Sequence, residues 1–220
     1  TNFYTKIANS KKPVVSIGGD HSITGGILQG LGSNNLEMTK GKKISFLHID
    51  AHTDTFTQLD HFMGAKKSAA HWGAYLVDQG IIDPKTSMQI GMRGNPRSLD
   101  WLQPSYDLGY NVVTMEDFQK RGMKDVIDQT LEKIGDNPVY ITFDLDSLDA
   151  TVAPAVSNIE PSFAGFTIDE AKALIQSVKN KNVIGGDVVC LMPTKDHKNN
   201  ITSMVAASIM FEIISVIAYK

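Results

Sequence analysis

Residues 43–54 read Lys-Ile-Ser-Phe-Leu-His-Ile-Asp-Ala-His-Thr-Asp, and this stretch decides the predicted fold. Its first part, Lys43 to Leu47, is a short apolar run typical of a buried strand in a parallel sheet. Because alternate residues of an extended chain point to one side, Asp50, His52 and Asp54 are expected to share one volume at the end of that strand. Buried charges of this kind repel one another and lose hydration unless a cation lies among them. The stretch therefore predicts a divalent metal site.

A second apolar strand is predicted to end in the same way. Val139 to Phe143 is followed by Asp144 and Asp146, which are separated by one residue. The same alternation places both carboxylates on one side of the chain. We therefore expect two strands to converge on one acidic site. Asp149 lies further along and is predicted to be a loop residue or a residue behind the ligands.

A glycine-containing loop is predicted to bring a histidine to this site. Pro13 to Ile17 predicts a strand, Ile23 to Leu31 predicts a helix, and the loop between them is Gly18-Gly19-Asp20-His21-Ser22. The loop lacks the third glycine of a dinucleotide fingerprint and the Gly-Lys-Ser/Thr of a P-loop, which disfavours phosphate binding. The glycines are instead expected to let the backbone turn so that His21 faces the strand ends, where open α/β sheets bind ligands.

The rest of the chain continues to alternate strand-like and helix-like segments. This order predicts an α/β fold, and the length of 220 residues suits one domain over residues 1–220. The further predicted elements are a surface loop at 55–70, a helix at 71–80, strands at 87–93 and 111–115, a helix at 117–134, a capped helix at 167–179, a strand at 183–189 and an apolar helix at 202–219, which packs on the sheet or on another subunit.

Composition points to a small-molecule partner. The net charge of −3 and pI near 6.0 give no basic surface for nucleic acid or for an anionic membrane. The single cysteine excludes an intrachain disulfide and fits a reducing compartment. No apolar run is predicted to span a membrane. We expect a cytoplasmic protein; an organellar location stays open because the chain starts abruptly at Thr1, which indicates a missing N-terminal segment.

Charge arithmetic favours two metal ions. Four aspartates carry four negative charges, which two divalent ions cancel, while two histidines can each complete one coordination sphere. Two ions about 3.5–4 Å apart can hold a hydroxide between them and generate a nucleophile at neutral pH. Oxygen donors with two imidazoles favour manganese, with nickel, iron and zinc as alternatives. The predicted ligands are His21, Asp50, His52, Asp54, Asp144 and Asp146.

Each ligand also has a structural interpretation when it is taken alone. Asp144 could cap the end of its strand, His21 could be a hydrogen-bonded loop residue, and Asp146 could form a turn. The joint pattern over three separated segments favours the metal site. His48, in contrast, lies inside an apolar strand and is predicted to be a satisfied core residue.

Three blocks of this sequence carry a resemblance to a known family. Gly18–Ser22, Asp50–Asp54 and Phe143–Asp149, in this order, resemble the signature segments of the ureohydrolase family, which includes arginases, agmatinases and other guanidino-acid hydrolases. The resemblance covers nearly the whole chain and is nearest to the agmatinase-like members. Family members usually have several tens of residues before the first block, so this chain resembles one without its N-terminal strand and helix.

The resemblance implies a fold, a reaction and an assembly. The fold is a three-layer α/β/α sandwich with a mainly parallel sheet, commonly assembled into homotrimers or homohexamers. The implied reaction is attack of a metal-bridging hydroxide on a guanidinium carbon, with Asp54 passing a proton to the departing amine and urea as the coproduct. Manganese is the usual metal, and Asp50 and Asp144 would bridge the two ions. One ion would be held by His21, Asp50, Asp54 and Asp144, and the other by Asp50, His52, Asp144 and Asp146.

The sequence departs from the family pattern at two places. Family members have a histidine directly after a serine in the loop beyond the second block, where it shuttles protons and contacts substrate. Here Ser68 is followed by two alanines, so His71 is the predicted equivalent. Where the family has a glutamate that holds the guanidinium, this chain has Cys190, whose thiol cannot make a carboxylate's charge-assisted hydrogen bonds.

Three functional hypotheses follow from these observations. The leading one is a binuclear metal-dependent amidinohydrolase that acts on guanidine or on a small guanidino acid or amine. The second is hydrolysis of a related C–N bond such as a formimino group. The third is a metal-binding paralogue with weak catalysis and a regulatory or structural role, which both departures motivate.

Overall fold

A computed structural model of the chain describes residues 2–32, 37–57, 64–65, 67–94, 98–160 and 165–219. Within these residues, helices and strands alternate along the chain. The helices are α1 (Asn2–Ala8), α2 (Ser22–Gly32), α3 (Trp72–Asp78), α4 (Gln103–Leu108), α5 (Met115–Arg121), α6 (Met123–Ile134), α7 (Ile168–Ser177) and α8 (Ile201–Ala218). The strands are β1 (Val14–Ile17), β2 (Ser45–Ile49), β3 (Met88–Met92), β4 (Asn111–Thr114), β5 (Pro138–Asp144) and β6 (Asn182–Val189). Part of the predicted loop at 55–70 lies outside the described residues.

The six strands form one parallel sheet in the order β1-β6-β5-β2-β3-β4. The predicted α/β class with a parallel sheet is confirmed. In the pairing of the two central strands, Ile49 of β2 lies opposite Phe143 of β5. The residues that follow them, Asp50 and Asp144, therefore leave the sheet side by side at its carboxyl edge.

Helices cover both faces of the sheet, which gives the three layers expected. On one face Phe46 and Tyr140 pack against buried residues of α2 and α3. On the other face Ile141 and Phe143 share a core with residues of α6, α7 and α8. Successive strand residues enter opposite cores because side chains alternate along a strand. His48 and Asp50 follow Phe46 at steps of two and so lie on the α2–α3 side.

Two helix boundaries show how local sequence sets the elements. Helix α7 begins with a capping box in which Thr167 accepts from the Glu170 backbone and the Glu170 carboxylate accepts from the Thr167 N–H, as the sequence predicts. The single helix predicted over residues 117–134 is wrong. Two helices replace it, since Gly122 between them adopts φ +84°, a backbone conformation that an α-helix does not contain.

Helix α8 corrects the expectation that no apolar segment reaches the length of a membrane span. By length and composition this 18-residue helix, with mean hydropathy 2.0, is the one helix within the described residues that could cross a membrane. A core helix can have the same length and composition. Here Ala206, Ile209 and Ile213 of α8 are buried in the core against the sheet, whereas Met204 and Phe211 are exposed.

Gly91 is expected to be essential to the edge of the sheet that carries the site. Its φ is +99°, and a Cβ built there would lie 2.5 Å from the Phe166 ring and 3.0 Å from the Asp50 carbonyl oxygen. Gly91→Ala should destabilise the protein by about 1–3 kcal/mol, measured by urea denaturation. Gly19→Ala is the matched control, since a Cβ there meets nothing within 4 Å. Equal effects of the two substitutions would contradict this account.

Candidate metal centre

The four aspartates converge at the carboxyl edge of β2 and β5 and are all buried. They are Asp50, Asp54, Asp144 and Asp146, and together they are called the acid cluster here. Asp144 ends β5, and the short 3₁₀ turn at Leu145–Ser147 folds back so that the Asp146 N–H donates to the Asp144 carboxylate at 2.9 Å. This turn keeps Asp146 beside Asp144.

The segment after Asp50 reaches the site by a path that differs from the expected extended chain. β2 ends at Ile49, and Asp54 adopts a left-handed conformation with φ +52°. The loop is closed by the His52 N–H, which donates to the Asp50 carboxylate at 2.7 Å, and by the Gly73 N–H, which donates to the Asp54 carbonyl at 3.0 Å. The side chains of Asp50, His52 and Asp54 are brought together because this loop folds back on itself. The predicted alternation of an extended strand does not account for their proximity.

The first imidazole faces three members of the acid cluster. Nδ1 of His21 lies 3.0 Å from Asp50 Oδ2, 3.0 Å from Asp54 Oδ2 and 3.2 Å from Asp144 Oδ2. The side chain is buried, yet within the described residues this nitrogen has no hydrogen-bond partner. A buried polar atom without a partner is uncommon in folded proteins and requires an explanation such as an ion.

The second imidazole faces the other side of the acid cluster. Nδ1 of His52 lies 3.2 Å from Asp146 Oδ2 and 3.5 Å from Asp50 Oδ1. Its other nitrogen, Nε2, lies 3.1 Å from Glu160 Oε1. Both histidines thus turn Nδ1 toward the aspartates, and Asp50 lies between them.

Hydrogen bonds behind His21 determine which of its nitrogens carries the proton. Thr142 Oγ1 lies 2.7 Å from Asp187 Oδ1 and 2.9 Å from His21 Nε2. Because a hydroxyl has a single proton and an ionised carboxylate can only accept, Thr142 donates to Asp187 and accepts from His21 Nε2–H. In the neutral ring, Nδ1 then has a free lone pair directed at the acid cluster, which is the form that binds a metal.

Glu160 determines which nitrogen of His52 carries the proton, as Thr142 does for His21. The Glu160 carboxylate accepts from Nε2–H, which leaves Nδ1 of His52 with a lone pair facing Asp146. Arg93 orders this region, because its guanidinium donates to the Asp146 carbonyl at 2.7 Å, to the Leu148 carbonyl at 3.0 Å and to the Glu160 carbonyl. A carboxylate behind a metal-binding histidine is a common arrangement in metalloproteins.

His48 supports Asp50. The Gln89 amide donates to His48 Nδ1 at 3.2 Å, so Nε2–H donates to Asp50 Oδ2 at 2.7 Å. A neutral ring with both nitrogens engaged in this way has no lone pair for a cation, although His48 is close enough to be grouped with His21, Asp50 and Asp54. As the sequence predicts, His48 is a core residue with both ring nitrogens hydrogen-bonded.

The pKa values of several residues in and around the acid cluster are raised because negative charge is concentrated there. Burial raises the pKa of Asp146 well above its ordinary value, and the charges of Asp144 and Asp50 raise it further. Burial lowers the pKa of His21 and of His52, but the carboxylates around each ring outweigh this and raise both pKa values far above the usual range. Without a cation, the cluster therefore retains protons that ordinary carboxylates and imidazoles would release.

The donor set fits two divalent cations. One group of candidate ligand atoms comes from His21, Asp50 and Asp54, and a second comes from Asp50, His52 and Asp146. Asp50 belongs to both groups, and Asp144 reaches the first through its contact with His21. Carboxylate oxygens and imidazole nitrogens are the donors that manganese, nickel, iron and zinc accept.

Cys190 lies beside the acid cluster. The residue is buried, has φ +66°, and its N–H donates to the Gly19 carbonyl at the end of β1. Burial raises the pKa of the Cys190 thiol well above its ordinary value, and the charges of Asp144 and Asp146 raise it further. The thiol is therefore neutral and adjoins the acids without adding charge.

His71 and Asp149 lie outside the direct contacts of the cluster. His71 precedes α3, is buried, and its Nδ1 lies 2.8 Å from Ser68 Oγ. Within the described residues, no hydrogen bond links His71 to the four aspartates. Asp149 accepts from the Thr151 N–H at 2.9 Å and so stabilises a turn.

Most of the residues that support the proposed ligands were not predicted from the sequence. Thr142 could have been found, because Tyr140, Thr142 and Asp144 alternate along β5 and share one face. Glu160 and Trp72 carry no comparable signal, since they reach the site from segments whose positions depend on the whole fold.

Comparison with known proteins gives consistent relatives. A family model described as the arginase family matches residues 1–215. The chain is 34% identical over 211 residues to "Guanidino acid hydrolase, mitochondrial" of Homo sapiens, covering 96% of this chain and 56% of that protein. It is 33% identical over 214 residues to "Agmatinase, mitochondrial" of Gallus gallus, covering 97% and 59%. The chain thus spans about three fifths of the length of these curated relatives.

A solved structure shows the same fold. The proclavaminate amidino hydrolase of Streptomyces clavuligerus aligns with a TM-score of 0.82 and 29% identity, covering 100% of this chain and 71% of that one. The alignment extends over every layer of the sandwich, so the similarity is not confined to the acidic edge of the sheet.

Thr142→Val should weaken metal binding while preserving side-chain volume. Without the hydroxyl, His21 Nε2–H has no acceptor and Nδ1 loses its fixed orientation, so Mn²⁺ affinity should fall by about 10–100-fold, measured by isothermal titration calorimetry. Thr130→Val is the matched control, because it removes another buried hydroxyl, which bonds to Val126 in α6. Unchanged Mn²⁺ affinity in Thr142→Val would contradict the role of Thr142.

The metal-free protein should lose stability as the pH rises above about 6.5. Folding raises the pKa of His21 and of His52, so each contributes stability that is complete below the unfolded-state pKa and is lost as the pH rises toward the folded-state pKa. The raised pKa of Asp146 acts in the same direction. Thermal melting of chelator-treated protein from about pH 6 to about pH 9 measures this effect.

Added Mn²⁺ should reduce that dependence, because a bound cation takes over the charge balance. If the melting temperature of the metal-free protein rose over this range, the description of the cluster would be wrong.

Proposed function

Because the chain belongs to the arginase family, we propose that it is a metal-dependent hydrolase of C–N bonds in linear amidines, which converts a small guanidino compound to urea and an amine. The observation that carries the proposal is the buried acid cluster into which two histidines each direct Nδ1. A site with this excess of negative charge suits a pair of dications together with a planar cationic substrate.

The proposed ligands divide into two sets that share Asp50 and Asp144. His21 and Asp54 would complete the set for one ion, and His52 and Asp146 would complete the other. We propose Mn²⁺ as the metal, with Ni²⁺ as the alternative, because oxygen donors outnumber the two imidazoles. When bound, two such ions would supply hydroxide as a nucleophile at neutral pH.

The chain's own residues would orient the substrate and move one proton. Asp54 is the member of the acid cluster with the most accessible side chain among those that contact His21, at 11% exposure. It can therefore receive a proton from the reacting side and pass it to the departing amine. His71 is proposed as the proton shuttle, since it is adjacent to Trp72, whose indole N–H donates to Asp54.

Cys190 is proposed to select the substrate. A neutral thiol next to Asp144 cannot form the paired, charge-assisted hydrogen bonds with which a carboxylate holds a guanidinium group. This favours guanidine, or a guanidino acid whose carboxylate can be bound at a second point, over a guanidino amine. One relative is named a guanidino acid hydrolase, which supports the acid.

A second candidate function rests on the same residue. If the thiol at Cys190 abolishes substrate binding, the chain is a metal-binding paralogue with a regulatory or structural role.

Two relatives named as mitochondrial support an organellar location as the alternative to the cytoplasm.

The protein is also proposed to form a homo-oligomer through α8. The exposed apolar residues Met204 and Phe211 on α8 support a homo-oligomer, with a trimer or hexamer as the expected state. A single domain over residues 1–220 is proposed as the subunit.

Urea release tests the function directly. Metal-stripped protein is reconstituted with Mn²⁺ or Ni²⁺ and assayed against guanidine, guanidino acids, agmatine and arginine, with formimino compounds measured by formamide release. We expect turnover of guanidine or a guanidino acid and a loss of at least about 100-fold in Asp144→Asn. Two bound ions without turnover of any compound would overturn the enzyme proposal in favour of the paralogue.

Cys190→Glu should shift the substrate range toward arginine or agmatine. The new carboxylate would add charge-assisted hydrogen bonds, each contributing about 1.5–3 kcal/mol, so kcat/KM for these substrates should rise by at least about tenfold. Cys190→Ser controls for loss of the thiol alone and should leave the range unchanged. If both variants behave alike, Cys190 does not select the substrate.

A further inference from the structure

A buried tryptophan contacts the aspartate proposed to carry the proton. The Trp72 side chain is fully buried, and its Nε1–H donates to Asp54 Oδ2 at 2.9 Å. The same oxygen lies 3.0 Å from His21 Nδ1. Oδ2 of Asp54 is therefore engaged from two sides.

The first turn of α3 holds Asp54 at a second point. The Gly73 N–H donates to the Asp54 carbonyl at 3.0 Å, and a Cβ at Gly73 would lie 3.0 Å from that oxygen. Side chain and backbone of Asp54 are thus both bound by consecutive residues, Trp72 and Gly73. This double attachment compensates for the left-handed conformation of Asp54, which is costly for a residue other than glycine.

Neighbouring rings prevent the indole from moving. The Trp72 ring centroid lies 5.0 Å from those of His21 and His48 and 5.5 Å from that of Phe46. Gly25 of α2 leaves room for the first turns of α3, since a Cβ there would lie 1.7 Å from Tyr75 Oη and 3.0 Å from Trp72 Cβ. The N–H is therefore held in one direction, which makes it a preorganised donor.

We propose that Trp72 is a positioning residue that gives the two oxygens of Asp54 different roles. Its N–H holds Oδ2 on the side of His21, where an ion would bind. Within the described residues, no hydrogen bond reaches Oδ1, and the Asp54 side chain is 11% exposed. Oδ1 is then the atom that receives and passes the proton. This inference rests on the proposed function and adds the means by which Asp54 can be both ligand and proton carrier.

The alternative is that Trp72 only fills space. Trp72→Phe separates the two roles, because it keeps an aromatic ring in the core and removes the N–H. Loss of packing would lower the melting temperature and would weaken the binding of both ions to the same extent. Loss of the donor would instead affect the ion next to Asp54 and the step that uses its proton.

Mn²⁺ titration calorimetry of metal-stripped wild type, Trp72→Phe and Trp101→Phe tests the inference. The last variant is the matched control, since the chain has two tryptophans and Trp101 is partly exposed. In Trp72→Phe we expect one ion to bind about 10–100-fold more weakly and the other within about twofold of wild type. With the substrate found in the urea assay, kcat should fall at least about tenfold while KM changes less than about threefold.

The results that would overturn this inference differ from the result that would overturn the proposed function. Two ions bound by Trp72→Phe with wild-type affinity, or both weakened equally together with a lower melting temperature, would overturn the positioning role while leaving the proposed function intact. Wild-type protein that binds no Mn²⁺ would overturn the proposed function, and this inference with it.

Discussion

The mutual repulsion of four buried aspartates is the constraint on which the rest of the structure depends. Their carboxylates lie at the carboxyl edge of a parallel sheet, within contact of two imidazole nitrogens and away from bulk water. Charges buried in this way are unfavourable by several kcal/mol each unless an opposite charge is present. The four buried carboxylates therefore favour the binding of cations between them.

Hydrogen bonds from outside the cluster convert this acidic pocket into an ordered set of ligands. Thr142 with Asp187 directs one histidine, and Glu160 directs the other, so that in its neutral form each ring presents the Nδ1 lone pair to the aspartates. His48 holds Asp50 by donating a proton to it. His21, His52 and Asp50 are thus each oriented by a group that lies behind them, which is how proteins fix the coordination geometry of a metal site.

The two departures that the family resemblance predicts concern the proposed substrate-binding and proton-transfer residues, Cys190 and His71, and do not involve the six proposed ligands. Cys190 replaces a charge with a neutral group beside Asp144, and the histidine after Ser68 is displaced to His71. Trp72, next to His71, contacts Asp54 directly. The proposed set of six ligands together with a neutral thiol at Cys190 fits a changed substrate specificity with the same proposed reaction.

The parallel sheet and its strands could be predicted from the sequence, because short apolar runs are local patterns. The six residues proposed as ligands could be named for the same reason, since they lie in three short segments directly after predicted strands. The sequence also located the cap of α7, which depends on residues three apart. It did not reveal the break at Gly122 or the left-handed turn at Asp54, since both depend on single backbone angles. The groups that orient the proposed ligands could be identified only from the folded arrangement of the chain. Thr142 meets His21 across 121 positions of sequence and Glu160 meets His52 across 108, and contacts between segments so distant are set by how the layers pack, which no local pattern records.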